Sequence, residues 1–172
     1  MKQKNITTEM IVIMGLMIAL EVVLSKVLSI NISFLRIGFG FLPIAILAIL
    51  YGPVWAAIAY GIGDIIGAFL FPTGSFFIGF TISSILTGLI LGIVLYGHRI
   101  TFVRALIAST FVCLFVNLLI NTYWLTFFID GSMFSTLLAS RAVKEIVAIP
   151  VMAILITVID GAVVRTVKNR AY

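Results

Sequence analysis

Gly67-Ala68-Phe69-Leu70-Phe71-Pro72-Thr73-Gly74-Ser75-Phe76-Phe77-Ile78-Gly79-Phe80-Thr81 stands mid-chain between two apolar runs, each long enough to cross a bilayer. Pro72 and Gly74 break the helix there, one by removing a backbone donor and the other by supplying flexibility. Thr73 or Ser75 can cap the helix that follows. Aromatic rings and small polar groups, Thr73 and Thr81 among them, cluster around the turn, with the Asp64 carboxylate about two helical turns upstream. A ligand mouth between membrane helices would be built this way. An ordinary helical hairpin with interfacial aromatics would carry the same residues.

Composition settles the class. The chain is 63% hydrophobic and 10% charged, with a mean hydropathy of +1.31. A soluble domain is about half apolar and about a quarter charged. The expectation is an integral membrane protein, all-α, with residues 1–172 forming a single domain of about six spans joined by short loops. The net charge is +5, but the basic residues are scattered among spans and form no stripe for nucleic acid. The single Cys113 lies in an apolar run, which excludes a disulfide or a thiolate metal cluster. The first apolar run holds Glu21 and Lys26 and lacks a small-x-small cleavage site, so it reads as a retained span.

The spans are expected at about Thr8–Ile30, Ile37–Tyr51, Val54–Phe71, Phe76–Tyr96 and Val103–Phe128, with a last one starting before Arg141 and ending near Val164. Pro150 predicts a kink in the last. Hydropathy alone leaves five or six spans, because the second is short; charge bias decides. With six, Lys2, Lys4, Arg99, Arg104, Arg165, Lys168 and Arg170 share one side. Short loops rich in Lys and Arg mark the cytoplasm, so both termini are expected there. Gly15 and Ala19 form a small-xxx-small pair that lets another helix approach. Thr81, Ser84, Gly88 and Gly92 form a similar face on the fourth span.

Charges inside apolar runs carry the functional information. Glu21, Lys26, Asp64, Arg141, Lys144 and Glu145 each cost about 2.5–3.5 kcal/mol at mid-bilayer, so such groups pair or line a cavity. Lys26, Arg36, Arg141 and Lys144 all fall toward the outer leaflet, where they suit an anionic ligand, bidentate at the arginines. Snorkelling and local pairs such as Arg141 with Glu145 are the alternative. Asp64 can pair with Lys26 or Lys144, or accept two parallel N–H bonds from a heterocycle with an amidine-like edge, as a pterin presents. Asn117 and Asn121 can read a flat polar ring or bond between helices, and Phe34, Phe76, Phe80, Tyr123 and Trp124 can stack on such a ring or form an interfacial belt. His98 sits in a turn, and no nucleophile–base set, phosphate loop or metal motif is present, so neither enzyme activity, cofactor nor metal is expected.

Three features together resemble a known family: the Gly-rich third span with its acid, the Phe71-Pro72-Thr73 to Phe80-Thr81 segment, and a last span opening on Arg141-x-x-Lys144. The chain resembles the substrate-binding S component of energy-coupling factor vitamin transporters, most of all the folate-specific members. The resemblance implies a six-helix protein of the prokaryotic cell membrane that captures a vitamin at the outer face. It implies docking, through the small face of the first helix at Gly15 and Ala19, on a transmembrane coupling subunit driven by two separate ATPase chains. Folate suits the residues, since its pterin fits Asp64, the asparagines and the rings, and its glutamate tail fits the cations. Riboflavin and biotin offer fewer anionic groups. A structural membrane subunit with internally paired charges is the reading outside transport.

Overall fold

The computed structural model describes residues 7–28, 30–32, 35–72, 77–127 and 134–164, with 30–32, 35–37, 134–137, 140 and 163–164 described by backbone alone. α1 (Thr8–Val22) begins at Thr7, whose hydroxyl oxygen accepts from the Met10 amide at 3.3 Å. That bond satisfies one of the orphan donors of the first turn. The helix runs on as a widened π-helical stretch, Val23–Val27. Two short strands follow, β1 (Ile30–Ile32) and β2 (Leu35–Ile37), antiparallel with Asn31 opposite Arg36. Here the structure corrects the expected boundary at Ile37. Alternating polar and apolar residues favour a strand, and Gly38 and Gly40 delay the helix to Phe41.

α2 (Phe41–Tyr51) carries Pro43 in its first turn, where a missing N–H leaves no bond unmade. It ends at Gly52, whose φ of 92° belongs to glycine, and Pro53 starts α3 (Pro53–Leu70) at once. α4 (Ile78–Leu95) follows the Pro72 turn. Thr73 and Ser75 lie outside the described residues. α5 (Phe102–Phe111) is capped by Thr101, widens into a π-helical stretch at Val112–Ile120, and resumes as α6 (Asn121–Leu125). α7 (Phe134–Ile159) runs through Pro150 as unbroken helix and ends in a last π-helical stretch, Asp160–Val164.

Five of these segments are long and apolar enough to cross a membrane: Thr8–Val27, Pro53–Leu70, Ile78–Leu95, Phe102–Leu125 and Arg141–Ala162. The outer surface is correspondingly apolar, with residues such as Ile11, Leu16, Phe69, Ile93, Phe115 and Ile154 exposed. The protein is a helical, multi-pass membrane bundle. Three hydroxyls satisfy themselves within their own helices: Thr87, Thr110 and Thr157 each donate to the carbonyl four residues back at 2.8–2.9 Å.

α2 is the exception in length. Its 11 residues give about 16 Å of helix, roughly half of the ~30 Å hydrocarbon core. Yet it is the most deeply enclosed helix, with Pro43 to Ile49 all buried. It packs at the end of the bundle that holds Thr7, Gly52 and Gly97. There Ile44, Leu47, Leu91, Leu95 and Ile156 form a dry core. α3 and α4 close tightly at that end: a Cβ on Gly88 would lie 2.6 Å from the Ala56 carbonyl oxygen, and one on Gly92 would strike the Pro53 backbone. At the opposite end the bundle lacks the missing half of α2, and it is hollow.

Candidate functional site

The hollow is a cavity of about 770 Å³, within the range of small-molecule sites. It is lined by Glu21 of α1 and the π-helical stretch after it, residues 38–41 ahead of α2, α3 from Tyr60 to Ala68, α4 from Phe80 to Thr87, the π-helical stretch before α6, and α7 from Arg141 to Met152. It occupies the half opposite Gly52 and Gly97 and reaches the middle of the bundle, where Val112, Cys113 and Met152 also belong to the apolar core.

One wall is acidic. Thr81 Oγ1 donates to Asp64 Oδ2 at 2.8 Å across the α3–α4 contact. Neither Lys26 nor Lys144 lies within ion-pair distance of Asp64, so the expected ion-pair alternative gives way to a hydroxyl bond. Thr81 itself is buried and does not line the cavity; it holds Asp64 from behind. Glu21 of α1 is 2% exposed, lines the cavity, and has an Oε2 with no hydrogen-bond partner. Three glycines make room for the charged side chains of the first span. A Cβ on Gly63 would collide with Glu21 Oε2, one on Gly40 would lie 3.0 Å from Glu21 Oε1, and one on Gly67 would lie 2.7 Å from Lys26 Cε. Lys26 lines the cavity with its carbon chain laid over Gly67.

The facing wall, from the π-helical stretch, α6 and α7, is a polar chain. Lys144 Nζ pairs with Glu145 Oε1 at 3.2 Å, Asn117 Nδ2 donates to Glu145 Oε2 at 3.3 Å, and Asn121 Nδ2 donates to Asn117 Oδ1 at 3.5 Å. Asn121 Oδ1 is buried without a partner. Arg141 Nη1 donates to Thr122 Oγ1 at 3.4 Å, so the expected local pair of Arg141 with Glu145 is taken by Lys144 instead. Arg141, Lys144, Asn117 and Asn121 all line the cavity.

Aromatic rings close the side between the walls. Phe71, Phe77 and Phe80 line the cavity, and Phe77 meets Phe80 edge-on at 6.0 Å. Trp124 stands behind Phe77 at 5.5 Å and donates from Nε1 to Ser83 Oγ at 3.2 Å; it backs the lining without joining it. Tyr123 is 56% exposed on the outer surface and packs on Trp124 and Phe127, away from the cavity. Phe34 and Thr73 lie outside the described residues. Arg36 is described only by its backbone place opposite Asn31. Glu21, Tyr60, Phe77, Ser84 and Glu145 line the cavity although sequence reasoning named none of them as ligand contacts. Gly15 and Ala19 lie exposed midway along the first span, on its outer surface, and a Cβ on Gly15 would meet nothing within 4 Å.

A bundle of membrane-crossing helices that encloses a polar, ligand-sized hollow at one end defines a membrane-embedded binding protein. The family model for the ECF transporter substrate-specific component matches residues 9–159, and the chain belongs to that family. It is 36% identical to the Folate transporter FolT of Clostridium novyi over 156 residues, covering 91% of this chain and 88% of that one. It is 28% identical to the Folate transporter FolT of Leuconostoc mesenteroides over 152 residues, covering 86% and 82%. It also superposes on a crystal structure of FolT bound with folic acid, with a TM-score of 0.80 and 30% identity over 87% of this chain and 90% of that one. The chain is thus a transporter's substrate-specific component and not itself an enzyme.

Proposed function

We propose that this protein captures folate in the cavity and carries it inward as the binding subunit of an energy-coupling factor importer. The observation that supports this most is the pairing of unlike walls around one cavity: Asp64, steadied by Thr81, lines it together with Arg141 and the Lys144–Glu145 pair. A pterin offers a flat ring with adjacent N–H donors, which a carboxylate accepts in parallel, and the glutamate tail offers two carboxylates to the cations. Phe80 and Phe77 supply ring contacts; Trp124 supports them. Asn121 Oδ1 takes a further donor from the ligand. Lys26, which lines the cavity, is assigned to the tail as well, and Arg36 joins it on the charge reading of the sequence alone. Relatives named as folate transporters and a relative holding folic acid support the choice of vitamin.

The charge bias of the sequence sets the orientation in this reading. Lys2, Lys4, Arg99, Arg104, Arg165, Lys168 and Arg170 put both termini in the cytoplasm of a prokaryotic cell and the cavity at the outer face. The chain works as one domain, 1–172. Its exposed Gly15–Ala19 face docks on the transmembrane coupling subunit, and two ATPase chains drive that module.

Equilibrium binding of radiolabelled folate to the purified protein in detergent tests the reading, with riboflavin, thiamin and biotin as competitors. Saturable one-to-one binding that the other vitamins do not displace is expected. Saturation by another vitamin instead would keep the transporter and replace the substrate.

A further inference from the structure

Resting on the folate reading, we propose that Glu21 is a second acid that contacts the heterocyclic head of the ligand, beside Asp64. Glu21 is almost wholly buried at 2% exposure, and its Oε2 has no partner. A carboxyl group in that state inside an apolar bundle is costly, and buried polar groups in native proteins are almost always bonded. Among the described residues nothing bonds that oxygen: Ser25 bonds the Glu21 carboxyl from its own helix, Tyr60 and Asp64 stand close enough to feel its charge, and Gly40 and Gly63 present only backbone where Glu21 lies. No described lysine or arginine lies within ion-pair distance of it. What Glu21 does border is the cavity, so the missing partner is the occupant.

Placement gives the chemistry. Gly63 precedes Asp64 on α3, and Glu21 lies against Gly63, so two acids from two helices border one region of the wall. The amino group of a pterin's amidine-like edge carries two hydrogens that point to opposite sides. One, with the neighbouring ring N–H, meets Asp64; the other remains for Glu21. A single carboxylate would read only one side of that amino group. The same cradle explains why residue 63 is glycine: a methyl there would push the Glu21 carboxyl from its place, and one on Gly40 would press on Ser25 and the Glu21 carboxyl together.

The test is competition against radiolabelled folate by two fragments, pterin and p-aminobenzoylglutamate, in wild-type protein, Glu21→Ala, Glu21→Gln and Gly63→Ala. Glu21→Ala is expected to weaken folate and pterin by about tenfold or more while leaving p-aminobenzoylglutamate within about twofold. Glu21→Gln keeps an acceptor oxygen and should recover most of that loss. Gly63→Ala keeps the acid but displaces it, so it should show the same head-selective loss even if Glu21→Ala fails to fold. Unchanged pterin competition in these variants, or equal weakening of both fragments, overturns the role of Glu21. Wild-type protein that binds no folate overturns the folate reading first, which keeps the two failures distinct.

Discussion

The two ends of the bundle are built from the same helices and by opposite rules. At the end holding Gly52 and Gly97, α2 is enclosed by α3, α4 and α7, side chains such as Leu47, Leu91 and Ile156 fill the space, and glycines let backbones touch. At the other end the glycines of α3 serve side chains: Gly63 and Gly67 clear space for Glu21 and Lys26. The closed end holds the fold; of the three buried polar atoms left unbonded among the described residues, Glu21 Oε2 and Asn121 Oδ1 belong to side chains that line the cavity, and Ser109 Oγ lies away from it. The half-length α2 is what separates them. A full-length helix there would fill the cavity with its own side chains.

Substitutions at the two ends should therefore fail in different ways. The largest effect is expected from Asp64→Ala, which removes two charge-assisted bonds to the ligand; calorimetry should show folate affinity lowered by about a hundredfold. Its melting temperature should fall only modestly, from loss of the Thr81 bond. Gly92→Val should do the reverse. Overpacking against the Pro53 backbone costs about 1–3 kcal/mol, read as a lower melting temperature in detergent, with the folate affinity of the folded protein unchanged. Arg141→Ala is milder, because its contact with Thr122 is long at 3.4 Å and the ligand's tail retains Lys144. About tenfold weaker folate binding is expected, and no change for pterin alone. Gly15→Leu should alter neither binding nor melting of the isolated chain, since its side chain meets open space. It should abolish folate uptake in cells that express the complete transporter. A Gly92→Val variant that lost affinity without losing stability would erase the contrast between the ends.

Much of this was legible in the sequence, because a charge in an apolar run is conspicuous. Asp64, Lys26, Arg141 and Lys144 stand around one cavity, and so do Asn117, Asn121 and Phe80. Angular relations were less legible. On a regular α-helix Glu21 and Lys26 are about 140° apart, so one face does not carry both. The π-helical stretch Val23–Val27 lets both border the cavity, and composition gives no sign of it. Tyr123 and Trp124 show the converse. Successive helical residues diverge by about 100°, so of two adjacent rings one backs the cavity wall and the other faces outward. Thr81 was legible as a small residue on a packing face, but its bond to Asp64 depends on the α3–α4 register, which one sequence cannot supply. The two strands, Ile30–Ile32 and Leu35–Ile37, did leave a trace in the alternating polarity of the Asn31–Arg36 connector, which is too short to be a span.

The most direct measurement is a calorimetric titration of folate into the wild-type protein and Asp64→Asn, side by side. The substitution keeps the shape of the wall and the Thr81 neighbour while replacing one acceptor oxygen by a donor. The account predicts tight one-to-one binding by the wild type and a loss of about a hundredfold in the variant. Equal affinities in the two proteins would contradict it, and would move the ligand's head away from the acidic wall.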